Sequence, residues 1–68
     1  MELSEGEVLS PLEVSRLLKV SKPWPYLMAH RGLLPYYKMG RVIRFRKDDI
    51  EEFLRRSRIE NGKGIANH

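Results

Sequence analysis

Two prolines that stand one residue apart, Pro23 and Pro25, constrain the fold of this chain more than any other feature. A proline lacks the backbone N–H that a helix interior needs, and it pushes the residue before it away from helical dihedrals. No regular helix is therefore expected to run through this point. We predict one short helix before it and a second helix from Trp24 or Pro25 to Arg31, preceded by an irregular or 3₁₀ turn.

The residues before the prolines have the pattern of a helix start. Ser10 is a suitable N-cap, Pro11 suits the first helical position, and Glu13 lies where it closes a capping box with Ser10. The apolar residues that follow recur at helical spacing and form the predicted buried face: Val14, Leu17 and Leu18. Two short helices joined by a few residues predict a helix-turn-helix.

Beyond Gly32, which suits the left-handed position after a helix end, the pattern changes to that of strands. Aromatic and β-branched residues on both sides of Met39-Gly40-Arg41 predict a β-hairpin, with Ile43 and Phe45 on its packed face. A last helix begins near Lys47, and its predicted inward residues are Ile50, Phe53 and Leu54. The predicted fold class is mostly α with a small β-hairpin, in the order helix-helix-strand-strand-helix of a winged helix-turn-helix.

The length and composition exclude several classes of protein. Sixty-eight residues allow one domain, which we place at residues 9–58, between a disordered lead-in at 1–8 and a disordered tail at 59–68. With no Cys and with His30 and His68 as the only histidines, no ligand set for a metal is expected, and we predict no cofactor. We expect no enzyme and no small-molecule substrate, because no carboxylate cluster or activated nucleophile is evident.

The distribution of charge points to the partner. The net charge is only +4, yet nine Lys or Arg residues and no Asp or Glu lie between Glu13 and Asp48. Such a single-sign field attracts a polyanion, and neutralised phosphates release condensed counterions from nucleic acid. No signal peptide or membrane span is recognised, so a cytoplasmic protein that does not contact a membrane is expected.

The motifs in this order resemble the excisionase-type DNA-binding domain, a compact winged-helix relative of the MerR regulator head domain. The resemblance covers about residues 9 to 57 and depends on the segments Leu9-Ser10-Pro11-Leu12-Glu13-Val14, Leu17-Leu18-Lys19-Val20-Ser21, Arg31-Gly32-Leu33-Leu34-Pro35, Gly40-Arg41 and Arg44-Phe45-Arg46-Lys47-Asp48-Asp49-Ile50. It implies that the second helix enters the major groove of double-stranded DNA and that the hairpin, or wing, reaches an adjacent minor groove or phosphate.

On that similarity, two groups of residues would contact DNA. They are Ser21, Lys22, Trp24, Tyr26 and His30 from the second helix, and Lys38, Arg41, Arg44 and Arg46 from the wing. Helix-turn-helix docking makes the same physical demand, because the second helix meets base edges while flanking donors hold phosphates. Trp24 has an equally plausible alternative role, in which its ring fills the gap between the second helix and the wing.

The resemblance implies a recombination directionality factor whose partners on DNA are an integrase or further copies of itself. A transcriptional regulator with the same domain is the first alternative, and we expect a monomer in solution in either case. An alternative of another class is a protein-interaction adaptor that presents Leu27, Leu33 and the aromatic residues as an apolar patch.

Overall fold

The computed structural model describes residues 7–60, so most of the predicted lead-in at 1–8 and most of the predicted tail at 59–68 lie outside the described residues. Three helices and three short strands follow one another along the chain. They are β1 (Val8–Leu9), α1 (Pro11–Leu18), α2 (Trp24–His30), β2 (Tyr37–Met39), β3 (Val42–Arg46) and α3 (Lys47–Ser57). The predicted order of three helices and a hairpin is confirmed.

The sheet contains one strand more than the predicted hairpin. Its order is β1-β3-β2, and both pairs are antiparallel, so β3 lies in the centre. Val8, which we placed in the disordered lead-in, instead lies in β1 opposite Arg46. Pairing is favourable because it satisfies backbone groups that an edge of β3 would otherwise leave open. The Lys47 N–H at the start of α3 also donates to the Glu7 carbonyl at 2.8 Å.

The first helix begins as its sequence predicts. The Ser10 side chain accepts a hydrogen bond from the Glu13 N–H at 3.1 Å, and the Glu13 carboxylate accepts one from the Ser10 N–H at 2.8 Å. Its buried face differs from the prediction at Leu17, which is 55% exposed. Val14 is buried and Leu18 is partly buried as predicted, and Ser15 is buried on the same face. The core-facing positions of the helix therefore recur at helical spacing from Pro11, through Val14 and Ser15.

Hydrogen bonds at both ends of α2 explain its bounds. The Trp24 N–H donates to the Ser21 carbonyl at 3.1 Å, an i to i−3 bond that makes the predicted tight turn ahead of the helix. At the other end, the N–H groups of Gly32 and Leu33 donate to the carbonyls of Ala29 and Met28, both at 3.0 Å. These two bonds and the positive φ of Gly32, 75°, form a Schellman motif.

The core takes side chains from all three helices, from β3 and from the segment between α2 and β2. Its buried apolar members are Val14, Met28, Ala29, Leu34, Phe45 and Ile50. The partly buried residues packed around them are Leu9, Leu18, Trp24, Ile43 and Phe53. The predicted inward face of α3 is right at Ile50 and Phe53 but wrong at Leu54, which is 44% exposed, because a short helix on one side of a small core buries only a narrow stripe.

Candidate nucleic-acid interface

The turn between α1 and α2 is closed by backbone bonds and places two polar residues ahead of α2. The Val20 N–H donates to the Ser15 carbonyl at 3.0 Å, and Lys19 adopts the left-handed helical conformation with φ 57° and ψ 48°. Ser21 and Lys22 follow and are exposed. Both are predicted DNA contacts, and both lie at the end of α2 from which helix-turn-helix proteins approach base edges.

The second helix has one face in the core and one exposed face. Pro25, Met28 and Ala29 are buried. The exposed face carries two predicted contacts, Tyr26 and His30, together with one residue from the predicted apolar patch, Leu27. The buried set follows helical spacing, so the exposed set is fixed by the packing of α2 against the core.

Trp24 packs against α3. Its ring meets the Phe53 ring edge to face, with centroids 5.7 Å apart and planes at 73°. Such pairs contribute beyond the area that they bury. The indole is only partly buried. Trp24 therefore joins α2 to α3 and still has a part of its surface at the outside.

The wing, residues 37–46, is a hairpin with a two-residue turn. Met39 lies opposite Val42, which leaves Gly40 and Arg41 as the turn residues. Gly40 has φ 67°, whereas Arg41 is not among the residues of positive φ, and this is the pattern of a type II′ turn. The turn places Arg41 at the exposed tip.

The register of the wing separates the predicted basic contacts. Residues directly opposite each other point to the same face of a sheet. Lys38 lies opposite Ile43, so it shares the face of the core-facing residues, whereas Tyr37 lies opposite Arg44 on the outer face. Strand alternation puts Arg46 on that outer face too. The structure therefore groups Arg44 with Arg46 and sets Lys38 on the other side.

Tyr37 was absent from the predicted contacts, although it lies opposite Arg44 and is 44% exposed. Met39, on the same strand, and Val42, on the opposite strand, form the next pair on that face, and both are exposed. The two-residue turn fixes which residues of β2 and β3 lie opposite each other. A register read from that turn would therefore have placed Tyr37 opposite Arg44.

The wing arginines differ in how they are held. The Arg44 guanidinium donates through Nη1 to the Ile43 carbonyl at 2.8 Å. Its other N–H groups have no hydrogen-bond acceptor among residues 7–60. The Arg46 Nη2 donates to Asp48 Oδ2 at 2.9 Å, and its side chain is 32% exposed. The charge of Arg46 is therefore partly neutralised by a carboxylate.

Most of the central basic block has no acidic partner in the described part of the chain. Of its nine cations, Arg46 pairs with Asp48, and Lys47 lies 3.9 Å from Glu7. The remaining seven have no carboxylate within 4.0 Å among residues 7–60: Arg16, Lys19, Lys22, Arg31, Lys38, Arg41 and Arg44. Cations that are not neutralised internally are the ones that attract a polyanion.

Four of the nine acidic residues lie on α3. Asp48 and Asp49 occupy its first turn, where carboxylates complement the helix dipole. Glu52 lies 3.5 Å from Arg55 and 3.6 Å from Arg56 along the same helix. Within residues 7–60 no group of three or more His, Asp or Glu side chains could hold a metal ion. No helix of this described part is long and apolar enough to cross a membrane.

Comparisons with known proteins agree with this architecture. A family model described as a helix-turn-helix domain matches residues 8–58, a range that includes all six elements. A stretch of 41 residues is 42% identical to "Uncharacterized protein YvgK" from Bacillus subtilis (strain 168). That match covers 60% of this chain but 13% of the relative, so the chain corresponds to a small part of that protein. No solved structure matches the chain at a significant level.

Proposed function

Because the chain belongs to the helix-turn-helix domain family, we propose that it is a small DNA-binding protein that holds double-stranded DNA through α2 and the wing. The observation that carries the proposal is the set of seven basic side chains without a carboxylate partner among residues 7–60. They belong to the turn, to the ends of α1 and α2, and to the wing. The proposed role is binding without catalysis.

In this proposal, α2 and the wing contact different parts of the DNA. Ser21, Lys22, Tyr26 and His30 surround the exposed side of α2 and approach the major groove, where Lys22 supplies a charge for phosphate. Trp24 offers the phosphate backbone the part of its indole that Phe53 does not cover.

The wing supplies the second region of contact. Arg41 at the turn and Arg44 on the outer face meet the neighbouring minor groove or its phosphates. Arg46 contributes less because Asp48 already neutralises it. Lys38, on the opposite face, approaches the backbone from the other side of the wing.

Within DNA binding, we favour an excisionase-type architectural role, in which the protein, alone or in several copies, shapes a recombination site for a separate integrase. The motif resemblance over residues 9–57 supports it. A transcriptional regulator is the second candidate. The match to one small part of a much longer relative indicates only that a similar segment also occurs within a larger chain.

Salt dependence tests whether the chain binds DNA at all. The full chain is titrated against a fluorescent mixed-sequence duplex at several NaCl concentrations. Contacts to about four to six phosphates predict a slope of log affinity against log salt of about −4 to −5. An adaptor that docks through apolar side chains would respond little to salt, so a flat profile would contradict DNA binding.

Arginine variants test the wing. Arg41→Ala and Arg44→Ala should each weaken binding and reduce the steepness of the salt slope by about 1. Arg56→Ala is the matched control, because it removes the same charge from α3, where Glu52 already lies 3.6 Å from the guanidinium. Equal losses of DNA affinity in all three variants would mean that only the net charge matters and that the wing makes no specific contact with DNA.

Footprinting separates the two finer roles. Protection beside an attachment site, together with stimulated excision by the cognate integrase, supports the recombination role. Protection over a promoter, with changed transcription and unchanged excision, supports the regulator.

A further inference from the structure

The second helix lacks the side chains with which proteins most often read bases. Its sequence from Trp24 to His30 contains no Arg, Lys, Asn, Gln, Asp, Glu, Ser or Thr. Guanine is read most often by Arg or Lys and adenine by Asn or Gln, each through two hydrogen bonds in the major groove. A helix without these residues needs another way to distinguish base pairs.

The exposed face of α2 has a leucine at its centre. Leu27 is the middle residue of the seven in α2 and is 43% exposed, while the next two residues, Met28 and Ala29, are in the core. The Tyr26 ring, 52% exposed, lies beside it along the chain, and His30 follows one turn later. The side chain most central to this face is thus apolar.

Charge indicates what covers this face. Leu27 lies within the stretch that has no acidic residue, and Arg31, which directly follows α2, has no carboxylate partner among residues 7–60. Lys22 precedes the same helix and is likewise unpaired within that range. A leucine bordered by unneutralised cations suits an anionic partner that also has an apolar group. The 5-methyl group of thymine supplies it in the major groove.

We propose that α2 reads thymine through its 5-methyl group and that Leu27 is the specificity-determining residue. The inference rests on the proposed DNA binding and adds the chemical class of the site, which is an A·T pair whose methyl group packs against Leu27. Tyr26 precedes Leu27 on the exposed side of α2, and His30 offers its imidazole to a neighbouring base or phosphate. The Leu27 side chain has no hydrogen-bonding group and acts only by apolar contact.

The first experiment removes the methyl group and nothing else. The full chain selects duplexes from a pool with a randomised central segment, and the most enriched duplex becomes the probe. Each thymine in it is then replaced, one at a time, by deoxyuridine, which keeps base pairing but lacks the methyl. At one or two positions the replacement should weaken binding about fourfold, which corresponds to the free energy of burying one methyl-sized group.

The second experiment assigns the effect to a residue. Leu27→Ala should weaken binding to the thymine probe and abolish the difference between thymine and deoxyuridine at the sensitive position. Leu54→Ala is the matched control, because Leu54 has nearly the same exposure, 44%, but lies on α3. It should retain the full thymine preference. Both changes are at exposed helix positions, where alanine favours the helix, so both variants should fold.

The outcomes of these experiments distinguish thymine reading from the proposed DNA binding on which it rests. If a selected duplex binds with a steep salt dependence but deoxyuridine is neutral everywhere, thymine reading is overturned and DNA binding stands. If the thymine preference survives in Leu27→Ala, the assignment to Leu27 is overturned. If no duplex binds in a salt-dependent way, the proposed function and this inference both fail, and Leu27 belongs to a protein-docking patch.

Discussion

Lys19 ends α1 in a conformation that side chains rarely adopt, with φ 57° and ψ 48°. Among residues 7–60 it is the one residue other than glycine with a positive φ. The left-handed conformation costs an ordinary residue about 1 to 2 kcal/mol relative to the right-handed one. The turn between α1 and α2 therefore contains a strained residue, and its side chain is an exposed cation.

Lys19→Gly should therefore raise the free energy of unfolding by up to about 1 kcal/mol, because glycine adopts this conformation without steric conflict. Urea denaturation measures the change. Lys22→Gly in the same turn is the control, because position 22 has no positive φ. It should lower the free energy of unfolding by about 0.4 to 1 kcal/mol through the greater freedom of the unfolded chain. Destabilisation of both variants would show that Lys19 is not strained.

The ion pair between Arg46 and Asp48 offers a second test at the scale of single residues. Asp48→Asn frees the guanidinium that the carboxylate holds at 2.9 Å, and DNA affinity should rise about two- to fivefold, in line with an exposed pair of up to about 1 kcal/mol. Asp49→Asn removes the same charge from the same turn of α3 but breaks no ion pair seen among residues 7–60. It should raise affinity less. Equal gains would mean that Arg46 lies away from the DNA.

At the scale of elements, β1 contributes more than its two residues suggest. It completes the sheet against β3, and the Glu7 carbonyl just before it accepts the first N–H of α3 at 2.8 Å. Leu9 lies opposite Phe45 and packs against the core. A strand from the start of the domain thus holds both the wing and α3 in place.

Leu9→Ala should cost about 1 to 2 kcal/mol of unfolding free energy, below the full range for a completely buried leucine because Leu9 is only partly buried. Thermal and urea denaturation give the value. Leu12→Ala is the control, since Leu12 is 40% exposed, and it should change stability by less than about 0.5 kcal/mol. A Leu9 variant as stable as the Leu12 variant would show that β1 is dispensable.

Sequence patterns predicted those elements whose boundaries are set locally. The capping box at Ser10, the two prolines before α2 and the glycine turn of the wing each act within a few residues, so α1, α2 and the hairpin were expected correctly. Two apolar residues such as Val8 and Leu9 show no periodicity, and their partner lies at the far end of the domain. Nothing local therefore predicted β1.

The buried faces and the site were predictable to different degrees. Leu17 and Leu54 have the right spacing for a buried face, but a core this small covers only part of each helix, and both are exposed. The basic residues of the site were evident from charge alone. Their grouping was not, because the separation of Lys38 from Arg44 depends on strand register.

At the scale of the whole molecule, stability depends on one small core. All three helices contribute to its six buried apolar residues, so no helix can separate without opening the core. These residues are Val14, Met28, Ala29, Leu34, Phe45 and Ile50. Domains of this size have only a few kcal/mol of net stability. Unfolding should therefore be a single cooperative transition.

Phe45→Ala tests that expectation, because Phe45 is fully buried in the central strand and its ring lies 6.4 Å from that of Tyr36. The loss should be about 3 to 5 kcal/mol, close to the whole stability, so circular dichroism should show a largely unfolded chain at 37 °C. Val42→Ala, on the opposite face of the same strand and 41% exposed, should remain folded. A cooperative melt of Phe45→Ala near that of the unsubstituted chain would mean that Phe45 is not the centre of the core.

The central position of β3 has a consequence for biosynthesis. A nascent polypeptide exposes Val8 and Leu9 first, but their partners, Arg46 and Phe45, leave the ribosome only after α1, α2 and β2 have been translated. Contacts so distant in sequence form late, because the intervening loop must close before they contribute. During translation, α1 and α2 therefore lack the buried Phe45 side chain of their common core until β3 has emerged.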